Sequence, residues 1–495
     1  MRGGAWLGTG SVAEQAVRFA RNILLARVLA PGAFGTMAII VSSASVVDTC
    51  IDVGTREAII QNPRGGEAQY LNVFWWLGVV RAIFSYLIVF SVAPWISRFY
   101  GHAEMSGLLR VALLGILFNS AISSRSALAQ REMKLGRWAG ITNGGGICGV
   151  ILTVVLSFII RDVWALAIGY CGEGAFRCVL SYVLCPGLPS LRWDRHAARD
   201  LLRFSRGAFG LSFLNLLIGR ADVFVLARLY SASALGLYTM AVSLVLTPST
   251  FITNLLGRTL MPALSSVQED TERLNRILLE VTSWLILLGL PAAVLISLCA
   301  PSLLTLVYGA RYIGAAGPLS VAAAAIFLIV INSVPTCVLF ATGHPAVHRE
   351  AVVVTAVTMV VAVYPAARLF GPTGGQLAAL LAAAVQYLFQ LWRLRSVTGL
   401  NLFRYANAFL PPALGSAIML GIVLGSRRLG LAAGPVADIA LCTGSCLVAY
   451  AICALAYLRA IARRDSSYRP RTPESAAVVS CAVVQQVEIN YNYKE

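Results

Sequence analysis

The residues most able to do chemistry in this chain are charged groups set inside apolar runs. Glu14, Arg18 and Arg21 are spaced i, i+4, i+7, which places all three on one side of a helix. Asp48, Asp52 and Arg56 follow at four-residue steps, again one stripe, and Arg81 and Arg110 stand singly in later runs. Glu173 and Arg177 form an i, i+4 pair, and Arg220 precedes Asp222 by two residues. A guanidinium stays charged at any relevant pH, and its planar fork takes phosphate oxygens in pairs. A desolvated carboxylate can take up a proton or Na⁺ as its surroundings change. The interior set counts six arginines (18, 21, 81, 110, 177, 220) against five acids (14, 48, 52, 173, 222), before Arg56 is added at the rim. This is chemistry for holding an anion and exchanging a counter-ion. Nothing in the chain points to catalysis: there is no P-loop or kinase motif, no CxxC pair, and only four histidines. No cofactor and no metal is expected; Cys442 and Cys446 share a helix face without neighbouring histidines and read as packing residues.

These groups need elements that can carry them. The chain has 495 residues, 58% hydrophobic and 12% charged, about half the roughly 25% charged content of soluble domains. Only a polytopic, all-α membrane protein fits. Apolar runs recur near 10–30, 35–60, 71–97, 105–127, 139–160, 163–185, 205–229, 234–258, 278–300, 316–341, 350–370, 373–394, 406–425 and 436–458, about fourteen spans. The net charge of +17 would suggest nucleic acid in a soluble protein, but 37 of the 39 basic residues are Arg and most lie in short loops. With the N-terminus in the cytoplasm, inside segments hold 25 Lys and Arg and outside segments 8. The positive-inside rule then places both termini in the cytoplasm, with no nucleic-acid partner. Met1 to Gly10 shows no cleavage-site pattern. The inferred outside loops are too short for a catalytic domain.

An internal repeat orders the spans. Ala26–Gly35 reads ARVLAPGAFG and Ala227–Gly236 reads ARLYSASALG, sharing Ala, Arg, Ala and Gly at positions 1, 2, 8 and 10 with an offset of 201. Both segments leave one span and enter the next. Six spans per unit make the copies parallel repeats, related by an axis along the membrane normal. The expected domains are a six-helix bundle over 1–200, a second over 201–400, two further spans over 401–461 and a loosely ordered cytosolic tail over 462–495. Gly144, Gly145, Gly146 and Gly149 permit close helix packing. Trp75, Trp76, Trp95, Trp138, Trp164 and Tyr230 read as an interfacial belt, and Pro248, Pro291 and Pro335 as kinks or helix ends.

An ionisable side chain at membrane depth costs at least about 2.5 kcal/mol, so each needs a reason. One reading makes Glu14–Arg18, Asp52–Arg56 and Glu173–Arg177 self-neutralising pairs for packing, with Arg56 and Arg110 snorkelling to the interface. The other makes the whole set the wall of a polar, net-cationic cavity between two bundles. In that reading Arg18, Arg21, Arg81, Arg177 and Arg220 bind an anionic headgroup, and Asp48, Asp52 and Asp222 are candidates for ion coupling. Asp222 is equally a counter-ion for Arg220.

LARVLAPGAFGTMAII with DVGTREAIIQ (Asp52 to Gln61), GRADVFVLARLYSASALGLYTMAVSL (Gly219 to Leu244) and LMPALSSVQEDTERLNRILLE (Leu260 to Glu280) resemble Wzx-type polysaccharide flippases. These belong to the multidrug/oligosaccharidyl-lipid/polysaccharide exporter superfamily. The resemblance covers most of residues 10 to 460. It implies two six-helix bundles around a central cavity plus two further helices. It also implies movement of undecaprenyl-diphosphate-linked oligosaccharide across the bacterial inner membrane, coupled to an ion gradient, for exopolysaccharide or surface polysaccharide synthesis. The partners implied are that lipid-linked oligosaccharide and the bilayer, with a polymerase or other glycan-assembly proteins left open. A drug or cation antiporter of the same superfamily, a membrane polymerase or ligase, and a non-transporting scaffold are the rival functions.

Overall fold

The computed structural model describes residues 2–51, 59, 64–101, 104–132, 134–190, 193–205, 209–429 and 434–449, and these form helices without strands. Asp52, Arg56 and the tail lie outside the described residues. The first half comprises α1 (Arg2–Val28), α2 (Pro31–Ile51), α3 (Ala68–Tyr100), α4 (Met105–Ser120), α5 (Arg125–Arg131), α6 (Leu135–Ile159) and α7 (Val163–Leu184). A surface helix, α8 (Arg195–Ser205), buries Ala197, Ala198 and Leu201 against the start of α3. The second half comprises α9 (Phe209–Leu229), α10 (Ala232–Ser265), α11 (Thr271–Leu298), α12 (Ala300–Val307), α13 (Ala316–Ala341), α14 (Pro345–Phe370) and α15 (Thr373–Thr398). Then come α16 (Leu402–Asn407), α17 (Leu410–Arg428) and α18 (Pro435–Ala449).

Eleven of the described helices are long and apolar enough to cross a membrane, and the bent pair α4–α5 makes a twelfth. The charged α1 and the shorter α18 stand at the two remaining expected positions, so the architecture is compatible with fourteen spans. It is a multi-pass membrane protein. Pro248, Pro291 and Pro335 lie inside α10, α11 and α13, which run through them.

The fourth span differs from the continuous helix expected over 105–127. It breaks after Ser120 and turns by 60°. Broken backbone inside a bilayer must find partners within the protein, and it does. The Ala121 carbonyl accepts from Tyr182 Oη at 2.9 Å and Trp75 Nε1 at 3.3 Å. Ser123 N donates to Ser181 Oγ at 2.9 Å, and Ser123 Oγ to the Cys185 carbonyl at 2.9 Å. Trp75 thus points inward to a backbone carbonyl, unlike Trp95, which is 73% exposed as a belt residue should be.

In the first half α1 packs on α6, α6 on α7, α7 on α4 and α4 on α3. In the second, α9 packs on α14, α14 on α15, and α13 on α10, α11 and α15. The halves meet where α2 crosses α10 and α9. Ile39, Ile40 and Ala44 of α2 share one apolar core with Val223 and Leu226 of α9 and Leu235 and Tyr238 of α10. The repeated segments pack on each other here. A Cβ on Gly35 would meet the Ala232 carbonyl carbon at 2.8 Å, and one on Gly236 would meet that of Pro31 at 2.7 Å. Pro31 and Ala232 occupy the sixth repeat position, Gly35 and Gly236 the tenth. The contact is therefore reciprocal, as a two-fold relation between halves requires.

The last two helices are fastened to the second half. Arg427 of α17 holds Asp438 of α18 through Nε and Nη2, both at 2.9 Å, and donates to the Leu298 carbonyl at 2.7 Å. Ser302 Oγ donates to the same carboxylate at 2.6 Å. Cys299 and Cys442 lie beside it, the three potential ligand atoms within 4.8 Å of one another. The carboxylate of this cluster is already engaged by a guanidinium and a hydroxyl.

Candidate functional site

The i, i+4 pairs foreseen on α1 and α7 do form: Arg18 Nη2 lies 2.8 Å from Glu14 Oε1, and Arg177 Nη2 lies 2.7 Å from Glu173 Oε1. They are not separate pairs. Arg18 also donates to Glu173 across the helices, and Arg177 reaches Glu14 at 3.8 Å. Four charges make one network linking the first and sixth spans.

The glycines of α6 create its space. A Cβ on Gly149 would stand 2.6 Å from Glu173 Cβ, one on Gly146 3.0 Å from Glu14 Cδ, and one on Gly145 2.9 Å from the Arg177 nitrogen. Packing small residues against neighbouring helices is common in membranes; here the small residues admit charged side chains.

Arg21 lies next to this network, donating to Asn22 Oδ1 at 3.3 Å and 3.2 Å. With it the local count is three guanidiniums against two carboxylates. The groups are neither flung outward nor sealed: the side chains of Arg18 and Glu14 keep 25% and 14% of their exposure, and those of Arg177 and Glu173 keep 26% and 12%.

One charge of the second half acts on this region. Tyr170 of α7 feels the charges of Asp48 of α2, Glu173 and Arg177 of its own helix, and Arg220 of α9. Asp48 is exposed and Arg220 half-buried. Asp222, two residues on, faces a different environment. It accepts from the Tyr238 hydroxyl and from Val223 N at 2.8 Å, and Tyr238 Oη accepts from Gln376 Nε2 at 2.6 Å. Among the described residues Asp222 makes no salt bridge with Arg220, although the two interact electrostatically.

Of the remaining predicted residues, Arg81 is half-buried on α3, a helix that packs mainly on α4. Arg110 lies over the Phe90 ring, 4.0 Å from its centroid, and serves the α3–α4 contact. Asp52 is outside the described residues. Tyr170, Tyr238 and Gln376 were not foreseen; a polar side chain within an apolar run was their only signal.

The arrangement gathers three guanidiniums and two carboxylates that keep part of their exposure, a set of groups able to hold an anion. Comparisons with known proteins bear on the family of this chain. The profile of a family described as polysaccharide biosynthesis protein matches residues 24–317. A membrane protein of the cps region of Klebsiella pneumoniae is 23% identical over 311 residues, 62% of this chain and 64% of its own. The lipopolysaccharide biosynthesis protein WzxC of Escherichia coli (strain K12) is 23% identical over 323 residues, 63% of each chain. The match spans slightly under two thirds of both relatives. Among solved structures, the lipid II flippase MurJ in an inward closed conformation superposes with a TM-score of 0.75 at 13% identity, covering 92% of this chain and 99% of that one. At that identity the likeness speaks for the fold. Since the family profile covers more than half of its length, the chain belongs to the polysaccharide biosynthesis protein family.

Proposed function

We propose that the protein is a flippase that moves undecaprenyl-diphosphate-linked oligosaccharide units across the bacterial inner membrane for polysaccharide export. The observation that carries this is the Glu14–Arg18–Glu173–Arg177 network of one half, with Arg220 of the other half near enough to act electrostatically on Tyr170. A site built by both halves changes shape when the halves rock, which alternating access requires. The surplus of guanidinium over carboxylate beside Arg18 suits a diphosphate, whose oxygens an arginine fork takes in pairs. No covalent chemistry is involved.

In this reading residues 1–200 and 201–400 move as units, both termini face the cytoplasm, and the lipid tail stays in the bilayer. Asp48, Asp52 and Asp222 are the coupling carboxylates, and the Tyr238 hydroxyl that donates to Asp222 holds that carboxylate in place. A cation or drug antiporter would need an acidic or aromatic space, and the excess of arginine opposes it.

The test is a deletion strain supplied with wild-type or variant protein, with lipid-linked repeat units assayed on each leaflet. Loss of the protein, or of Arg220, is expected to strand the units on the inner leaflet. Normal export in the deletion strain contradicts the proposal.

A further inference from the structure

The bend in the fourth span opens a polar space apart from the Glu14–Arg18–Glu173–Arg177 network. A cavity of about 570 Å³ lies between the start of α3, the α4–α5 bend, the start of α6 and residues 185–190. Arg125, Lys134 and Arg137 line it, against the single acid Glu132, a net charge of +2 from three cations less one anion. Its wall is fixed. Asn72 Nδ2 donates to Ser190 Oγ at 2.5 Å, Ser190 N donates to Asn72 Oδ1 at 3.0 Å, and Trp76 Nε1 donates to the Ser190 carbonyl at 3.0 Å. Arg125 Nη1 donates to the Pro186 carbonyl at 2.7 Å. Its guanidinium rests on Gly187, where a Cβ would stand 2.7 Å from Cζ. Glu132 spends its charge on Lys134 at 2.6 Å. Arg137 is exposed on the first turn of α6, so the positive end of a long helix adds to its field. Near the cavity Leu188 is 87% exposed and Trp193 51%, apolar groups of the kind that sit in a membrane interface.

We propose that this cavity binds a phosphate anion at the membrane surface, supplied by the headgroup of an anionic phospholipid. Basic pockets between spanning helices on the cytoplasmic side take such headgroups, and Leu188 and Trp193 give the acyl chains an apolar approach. That this face is cytoplasmic rests on the orientation adopted above. A soluble diphosphate offers the same chemistry, so the experiment separates the two sources.

The full chain is placed in nanodiscs of phosphatidylcholine, of phosphatidylcholine with phosphatidylglycerol, or of phosphatidylcholine with added inorganic pyrophosphate. Unfolding midpoint and co-purifying lipid are measured for the wild type, for Arg137→Ala, which leaves the Glu132–Lys134 pair intact, and for Lys134→Ala with Arg137→Ala. Phosphatidylglycerol is expected to raise the wild-type midpoint, and the double variant to bind it on the order of tenfold more weakly. A rise with pyrophosphate that the variants lose keeps the phosphate site and assigns it a soluble source. Equal phosphatidylglycerol binding by all three proteins, or no preference over phosphatidylcholine, overturns the proposal. Flipping by the same variants is read separately, so either idea can fail without the other.

Discussion

Arg18 is the residue on which the charged network depends, because it touches both carboxylates, Glu14 and Glu173. Removing one partner of a buried pair costs about 3–5 kcal/mol, and less here because the Arg18 side chain is one quarter exposed, at 25%. Arg18→Ala is expected to cut flipping about tenfold, the rate equivalent of roughly 1.4 kcal/mol, and Arg18→Lys to retain more. Adding Glu173→Gln to Arg18→Ala is expected to restore membrane abundance without restoring flipping, which quantitative blotting and a flipping assay check together. Asp222→Asn is expected to abolish transport at normal abundance, because the amide still accepts from Tyr238 while its charge is gone; full transport would remove Asp222 from coupling. The intrahelical pairs were legible in the sequence, since a spacing of four fixes neighbours on one helix. Their union was not: Arg18 and Glu173 are 155 residues apart, and their meeting depends on how α1 and α7 are rotated about their axes.

Spans, by contrast, were read well wherever apolar length alone decides. The break at Ala121 escaped because neither proline nor glycine marks it, and the groups that satisfy it, Trp75, Ser181 and Tyr182, come from other helices. The repeat was found as four shared letters; what it does became visible only as the reciprocal contact of Gly35 and Gly236. Each glycine faces backbone of the opposite half, so no side-chain rotation relieves an added methyl. Gly35→Ala and Gly236→Ala are each expected to lower both membrane abundance and flipping. The double variant is expected to lose less than the sum of the two, because both disturb one seam. Strict additivity in the same assay would mean that the two glycines act separately.

Across the whole molecule the chain is two related halves with two helices appended, and the appended pair is held by Arg427–Asp438 at a junction with α11 and α12. Composition foretold a many-span protein and charge asymmetry predicts its orientation, but neither could show that Arg18 reaches Glu173 across the helices. Alkaline phosphatase fused after Arg161 or Arg311 is expected to be active, and fused after Arg404 inactive; the reverse pattern would invert the topology. The central claim is that the charges around Tyr170 wall a water-filled space that receives the diphosphate. Tyr170→Cys, in a chain otherwise free of cysteine, should react with a water-soluble thiol reagent, and lipid-linked oligosaccharide should slow the reaction. A Tyr170→Cys thiol that stays unreactive while a Leu188→Cys control labels would contradict the account.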